Sequence, residues 1–358
     1  MMSRGLRILI GLGAAVVILV GLRRASAIMA PAFLALTLTI AVSPLRAWLK
    51  RRGAASWVLV TVPLTVVLLV LLAFVGALVV SIARLAGLLP QYADEYHQLA
   101  ASVTQWLAGL GITPQQISAA VKALDPGKLV PLVQGFLSGL LDVASAFIVI
   151  ILLAYGMSMD AGHIQAAVRR LQSTKPDLVR ALTDFARGTC RYLVVCTVFG
   201  FIVAVLDAGA LWLLGVPLPV LWGMLSFITN YIPNVGFFLG LLPPALLALL
   251  DSGWVTMVWV IVVYTVVNFV IQSVIQPKYA GESAGLSTTL TLLSLLVWSV
   301  VLGPLGAILA VPLTALARAL VIDADPGTRW AIPLVSGEAR EERPTPPDGR
   351  SGTRRSSG

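Results

Sequence analysis

Charged side chains are scarce in this sequence of 358 residues, where they make up 11% of the chain, against roughly 25% in an ordinary soluble domain. Hydrophobic residues make up 58%, a share that excludes a soluble protein. Several apolar runs reach the about 20 residues that a membrane-spanning helix needs. The composition therefore predicts an all-α polytopic integral membrane protein.

Cysteine and histidine are also rare, with two of each. Two cysteines, Cys190 and Cys196, are too few for a disulfide framework or a zinc site, so we expect free thiols. His97 and His163 lie far apart in sequence and have no partner at a metal-ligand spacing. The sequence lacks a P-loop and a nucleophile–base pair, which argues against an enzyme and against direct ATP drive. We expect no cofactor and no metal site.

The net charge of +9 comes from short basic clusters beside apolar runs. This distribution is typical of orientation by cytoplasmic Lys and Arg and does not indicate a nucleic-acid partner. Clusters at 46–52 and 169–191 therefore predict a multi-pass protein of the bacterial cytoplasmic (inner) membrane with both termini in the cytoplasm. We expect the run 8–20 to be a retained helix rather than a cleaved signal peptide. With Gly21 as a tight connection, it would form a hairpin with 27–42.

The chain divides into six segments along this topology. They are N-terminal transmembrane helices in 1–83, amphipathic extracytoplasmic helices in 84–135, a transmembrane helix in 136–159, a basic cytoplasmic helical segment in 160–191, a membrane core in 192–322 and a disordered cytoplasmic tail in 323–358. Near-helical spacing of apolar residues among charges and amides indicates the amphipathic helices. The Pro, Gly, Ser and Arg content of the tail is typical of disorder.

Two apolar regions of the core, 216–250 and 288–322, are each broken near the middle. The helix-breaking or polar residues at the breaks are Asn230, Pro233, Asn234 and Gly236 in the first region and Gly303, Pro304 and Gly306 in the second. Each region is too long for one span and each half is too short, so each is a tilted, discontinuous helix or a re-entrant hairpin. We favour hairpins, because paired interrupted segments are typical of secondary transporters.

Amides in the core are candidate substrate-pathway residues. Asn230 and Asn234, together with Pro233 and Gly236, form a break that lines a solute pathway or only satisfies broken helix ends. A further set of amides recurs at every fourth residue, which places three of them on one helical face. This set is Asn268, Gln272 and Gln276. The stripe predicts a polar face toward the pathway, with helix-joining hydrogen bonds as the alternative.

Asp207 is the ionisable candidate in the core. It lies about 24 Å from the inner end of its apolar run, at a rise of 1.5 Å per residue. An acid at that depth is functional by default, unless it lies near enough to the outer surface to be hydrated through Gly209. In the second broken region, Gly303, Pro304 and Gly306 indicate either a hinge for alternating access or a close-packing point.

Three sequence blocks occur in a fixed order along the core. They are GVP at 215–217 followed by FITNYIPNVG at 227–236, IQPKYAG at 275–281 and GPLGAILAVP at 303–312. Together they resemble the blocks of the AI-2E transporter family, which includes proposed exporters of the quorum-sensing molecule autoinducer-2. Pro44-Leu45 followed by the basic residues 50–52 also fits, and the resemblance covers the chain from about residue 30 to residue 320.

The resemblance implies a permease with about eight hydrophobic segments, which transports small molecules or, in some members, exchanges cations for protons. Many relatives carry an acidic residue where this chain has Gln272, a departure that puts simple proton coupling in doubt. The leading prediction is a secondary transporter that exports a small polar solute similar to autoinducer-2. The alternatives are a sodium (or lithium)/proton antiporter with Asp207 as the titrating group, and a non-transporting membrane scaffold. The expected partners are the solute, the lipid bilayer and a coupling ion, proton or sodium, with a homo-oligomer left open.

Overall fold

The computed structural model describes residues 4–55, 57–92, 149–157, 159–233, 235–276 and 287–331, with residues 95, 98, 101, 102, 105 and 335. Across these residues the regular structure is helical, and no strand occurs. Five helices are long and apolar enough to cross a membrane, namely Ser26–Arg51, Val58–Tyr92, Pro176–Leu213, Trp254–Ile275 and Thr289–Ile308. The prediction of an all-α polytopic membrane protein is confirmed.

The chain opens with four helices. They are α1 (Arg4–Arg24), α2 (Ser26–Ala41), α3 (Ser43–Arg51) and α4 (Val58–Leu88). The expected tight connection at Gly21 is wrong, because Gly21 lies inside α1. Its carbonyl accepts a hydrogen bond from Ala25 N at 3.0 Å, and the Ala25 carbonyl accepts one from Met29 N at 2.9 Å. Since helical bonding continues through Ala25, the chain bends there instead of reversing.

Two helices follow in the basic region, α5 (Ala161–Thr174) and α6 (Pro176–Leu213). Pro176 is suited to the first turn of a helix, where its missing N–H leaves no bond unmade. Helix α6 then runs unbroken for 38 residues, so the boundary expected between 191 and 192 falls inside one helix. A helix of this length measures about 57 Å, which exceeds the hydrocarbon core of a bilayer.

The first broken region forms two short helices, α7 (Pro219–Thr229) and α8 (Gly236–Ser252). Gly236 faces Thr229, and Gly240 faces both Thr229 and Ser226. This order of contacts makes α7 and α8 antiparallel, so the region folds back on itself. A Cβ at Gly236 would overlap the Thr229 carbonyl, which explains why the tightest point of the hairpin carries no side chain. Helix α9 (Trp254–Asn268) follows and continues as a π-helix over Phe269–Ile275.

The largest buried apolar cluster joins α7 to its neighbours. It contains Leu78 and Ile82 of α4, Leu211 of α6, Leu221 and Trp222 of α7, Ala245, Leu247 and Ala248 of α8, Val260 and Tyr264 of α9, and Val216. Helix α7 packs against α6 on one side and α8 on the other, while α9 packs against α8 and α6. The hairpin is therefore embedded in the helical core rather than lying on its surface.

The second broken region forms α10 (Thr288–Ile308), α11 (Ala310–Arg318) and a π-helix over Ala319–Asp323. Gly303 has φ 69° and ψ −152° inside α10, a conformation that favours glycine because it has no Cβ. Beyond this kink the chain turns back, and Trp298 Nε1 donates a hydrogen bond to Thr314 Oγ1 at 2.9 Å. Helix α10 packs against α1, α2 and α11.

The structure differs at the boundaries of two predicted segments, the extracytoplasmic helices and the C-terminal tail. Helix α4 extends to Leu88 and a 3-10 helix to Tyr92, so the boundary expected at 83/84 lies inside a helix. Most of the predicted extracytoplasmic helices in 84–135 lie outside the described residues. The expected disordered tail starts too early, because Pro326–Ala331 form a 3-10 helix and Thr328 Oγ1 donates to the Val321 carbonyl at 2.9 Å.

Candidate functional site

Three amide side chains meet at the tip of the α7–α8 hairpin. Gln272 Nε2 donates hydrogen bonds to Asn268 Oδ1 at 2.7 Å and to Asn230 Oδ1 at 3.2 Å. Asn230 Nδ2 donates to the Cys196 carbonyl at 3.0 Å. Asn268 Nδ2 donates to the Tyr264 carbonyl at 2.9 Å. We call Asn230, Asn268 and Gln272 the amide cluster; it joins α6, the end of α7 and the last turns of α9.

The π-helix places Gln272 within this cluster. Gln272 lies in the middle of Phe269–Ile275, where the sequence predicts a plain helix. Short π-helical segments are rare and occur frequently at functional sites. Two members of the expected amide stripe, Asn268 and Gln272, join the cluster. Gln276 is half-buried, and no hydrogen bond links it to the cluster in the described part of the chain.

Side chains of α6 fix the hairpin tip in place. Tyr192 Oη donates to the Tyr231 carbonyl at 3.1 Å, and Thr197 Oγ1 and Tyr231 Oη share a hydrogen bond of 2.7 Å. A Cβ at Gly200 would lie 2.8 Å from Asn230 Nδ2, so glycine there lets the amide approach the helix. The sequence analysis missed these residues. The one available signal was Gly200, which lies four residues after Cys196 on the same helical face.

Asp207 lies above the tip in a second polar cluster. The fold covers it completely, with 0% of the residue exposed, so the expectation that it is hydrated through Gly209 is wrong for this conformation. Ser226 of α7 lies beside the carboxyl group, and Tyr264 of α9 lies beside Ser226. None of their side-chain oxygens reaches hydrogen-bonding geometry with any described residue. We call Asp207, Ser226 and Tyr264 the carboxyl cluster.

A family model of AI-2E family transporters matches residues 10–324. The chain belongs to the AI-2E transporter family. It is 29% identical to YhhT of Escherichia coli strain K12 over 342 residues, which cover 95% of this chain and 97% of YhhT. It is 27% identical to the AI-2 transport protein TqsA of the same strain over 314 residues, or 88% of this chain and 91% of TqsA. YrrI of Bacillus subtilis strain 168 is 25% identical over 316 residues, which cover 82% of this chain and 85% of YrrI.

The remaining predicted residues of this AI-2E transporter lie at the two breaks. Pro233 is in the turn of the hairpin tip, where its carbonyl accepts a hydrogen bond from Val235 N at 2.7 Å. Gly236 opens α8, and Asn234 lies outside the described residues. The structure thus brings Asn230 together with Asn268 and Gln272 and places the tip turn directly after Asn230.

The predicted hinge residues of the AI-2E transporter lie in another part of the fold. Gly303 carries the kink of α10, and Pro304 follows it. A Cβ at Gly306 would lie 2.7 Å from the Trp298 carbonyl carbon, so Gly306 is a close-packing point. The kink therefore lies at Gly303, and the close-packing point lies at Gly306.

Proposed function

We propose that this AI-2E transporter carries a small, uncharged polar solute across the bacterial inner membrane and binds it at the amide cluster. Autoinducer-2 is the first solute to test, because TqsA is an AI-2 transport protein and the two chains align over most of their lengths. The cluster contains amides alone, which donate and accept hydrogen bonds without carrying charge. Such groups suit a hydroxylated solute better than a bare cation.

The observation that carries this proposal is the bonding of Gln272. Its amide nitrogen bridges two helical elements, with a short bond to Asn268 and a longer one of 3.2 Å to Asn230. Its carbonyl oxygen accepts no hydrogen bond from any residue that the structure describes. A solute hydroxyl that donates to this oxygen and accepts from Gln272 Nε2 would replace the longer bond. The Gln272 amide would then remain fully paired while the tip separates from α9, and Asn230 Oδ1 would be released to accept from the solute or from water.

A contact at the end of α8 supports the membrane orientation that we propose. At the C-terminal end of α8, away from the hairpin tip, Asp251 Oδ1 accepts a hydrogen bond from Tyr92 Oη at 2.6 Å. This bond joins α8 to the end of α4. Because α4 leaves the basic helix α3, its Tyr92 end is extracytoplasmic if basic residues face the cytoplasm. The α7–α8 hairpin then enters from outside as a re-entrant element. Helices α10 and α11 enter from the cytoplasm, and both termini are cytoplasmic.

Export of the solute, driven by a coupling ion, completes the proposal. A sodium/proton antiporter is the second candidate, and the carboxyl cluster is the feature that favours it. Sodium flux into proteoliposomes under a pH gradient, in the absence of any organic solute, would support antiport as the primary activity. We do not propose the scaffold alternative, because the family consists of transporters.

The test is a flux assay on purified protein in proteoliposomes, with autoinducer-2 and a panel of small polyols. Gln272→Leu removes the bridging amide, and we expect an at least tenfold lower initial rate, since the lost hydrogen bonds correspond to about 1.5 kcal/mol or more. Gln276→Leu is the matched control, because it removes an amide of the same helix outside the cluster. Equal rates for Gln272→Leu and wild type, or no flux of any solute, would overturn the proposal.

A further inference from the structure

The carboxyl cluster has no role in solute binding as proposed above, yet its three polar side chains are buried in the helical core. Asp207 is 0% exposed, Tyr264 1% and Ser226 6%. A buried carboxylate without a paired charge is strongly unfavourable, because water is lost and nothing replaces it. The salt bridges Arg187–Asp184 and Arg318–Asp323 lie elsewhere in the described chain.

Among the described residues of the helices that pack over Asp207, no cation faces the carboxyl group. Helices α7, α8 and α9 contain no Lys, Arg or His at all. In α6 the nearest basic residue is Arg191, more than four helical turns toward the cytoplasmic end. Helix α4 carries Arg84, whose side chain is exposed at the protein surface. The titratable side chain that faces Asp207 is the phenol of Tyr264.

We propose that Asp207 is the proton-binding site of this transporter and that the fully covered carboxyl group of this conformation corresponds to the protonated state. The proton adds to one carboxylate oxygen, which becomes a neutral carboxyl group, and no other bond forms or breaks. Ser226 Oγ lies beside the carboxyl but outside hydrogen-bonding geometry in this conformation, and a small adjustment of the two side chains would let it accept from the new O–H. Tyr264 Oη is the next hydroxyl in line. One carboxyl group with two hydroxyl neighbours can bind a proton. It offers too few oxygen ligands for a metal cation, which requires a shell of several.

The two clusters are connected through the backbones of Ser226 and Tyr264. The Ser226 carbonyl accepts a hydrogen bond from Asn230 N at 3.0 Å, while its hydroxyl belongs to the carboxyl cluster. The Tyr264 carbonyl accepts from Asn268 Nδ2 at 2.9 Å, while its phenol belongs to the carboxyl cluster. Movement of α7 or α9 away from Asp207 therefore also moves an amide of the solute site.

Exchange of the proton with water requires such a movement, because α7 packs over Asp207. Gly223 lies so near α6 that a Cβ there would be 2.7 Å from the Ala204 carbonyl oxygen and 2.9 Å from Ala208 Cβ. Loss of the proton creates a charge that only water can stabilise in this cluster, so the charged state favours an open α6–α7 seam. This coupling rests on the solute site proposed above, whereas the proton site itself does not.

Infrared difference spectroscopy tests the proton site without any solute. Purified full-length protein in lipid vesicles is taken through a pH titration, and the C=O stretching band of a buried protonated carboxyl group is followed. We expect Asp207→Asn to abolish the band and Ser226→Ala to shift its frequency, because the polar hydroxyl beside the acid is removed. Asp251→Asn is the control for an exposed carboxyl group and should leave the band intact. An unchanged band in Asp207→Asn overturns the proposal.

A flux measurement tests the coupling. Accumulation of the solute identified in the polyol and autoinducer-2 panel is compared with and without a gradient of one pH unit, which can drive about a tenfold difference for each proton. We expect this ratio to approach one in Asp207→Asn and to stay at the wild-type value in Asp251→Asn. A wild-type ratio of one overturns coupling even when the infrared band is present. Absence of any wild-type flux overturns the solute proposal, and the infrared result still decides whether Asp207 binds a proton.

Discussion

The closest approach in the α7–α8 hairpin allows a quantitative test of how the tip is built. Replacing Gly236 with alanine would put a Cβ 2.7 Å from the Thr229 carbonyl carbon, with the carbonyl oxygen closer still. An ordinary van der Waals contact needs roughly 3.5 Å, so the two helices must separate by about 0.8 Å or more. Helix α7 cannot retreat toward α6, because Gly223 already lies against Ala204.

The displacement therefore falls on α8 and the tip turn. The hydrogen bond from Gly236 N to the Ile232 carbonyl, 3.0 Å in the native fold, is strained or lost. Overpacking of this kind costs about 1–3 kcal/mol, and one backbone hydrogen bond adds about 1 kcal/mol. We expect Gly236→Ala to reduce the free energy of unfolding by about 3 kcal/mol.

The assay is reversible unfolding in mixed detergent micelles, followed by tryptophan fluorescence, with two matched glycine substitutions. A Cβ at Gly240 would lie 3.0 Å from Thr229 Oγ1, a side-chain atom that can rotate away, so Gly240→Ala should cost less than about 1 kcal/mol. A Cβ at Gly209 would meet nothing within 4 Å, so Gly209→Ala should leave stability within about 0.5 kcal/mol of wild type. Equal stability of all three variants would refute the packing argument.

Two further predictions concern the other break and the Asp251 end of α8. Gly306→Ala should destabilise by about 1–3 kcal/mol in the same unfolding assay, because its Cβ would crowd the Trp298 carbonyl. Gly303→Ala should cost about 1–3 kcal/mol through its backbone conformation alone, because φ 69° with ψ −152° is a region that almost only glycine adopts. Wild-type stability of either variant would contradict its assignment. Tyr92→Phe removes the hydrogen bond to Asp251 and should increase amide hydrogen exchange at the end of α8 by about tenfold, for a bond of about 1.4 kcal/mol; unchanged exchange would show that this contact does not hold the helix end.

Features that proline and glycine impose locally could be predicted from the sequence. The break around Pro233 and the kink at Gly303 both occur where the sequence indicated them. These residues restrict or free the backbone whatever surrounds them. Gly21 shows the limit of this reasoning, because a glycine permits a turn without requiring one and its helical hydrogen bonds remain intact.

Features that depend on distant partners could not be predicted. The segment 269–275 has no local signal for π-helical geometry, and its Gln272 bonds to Asn230 from another part of the chain. The depth of Asp207 follows from the length of an apolar run, but its complete burial depends on α7 and α9, which pack over it. Of the three amides in the stripe, Asn268 and Gln272 lie in the amide cluster and Gln276 lies outside it.

Helix α6 runs as one continuous helix beside both polar clusters. Cys196, Gly200 and Asp207 all belong to this one unbroken helix, and its rise sets Gly200 and Asp207 about 10 Å apart along the axis. The facing surfaces end at a tip in α7 and pass into a π-helix in α9. We expect α7 and α9 to move during transport and α6 to stay fixed. Spin labels placed along α6 should keep their mutual distances when pH or solute changes, while distances from α6 to α7 change.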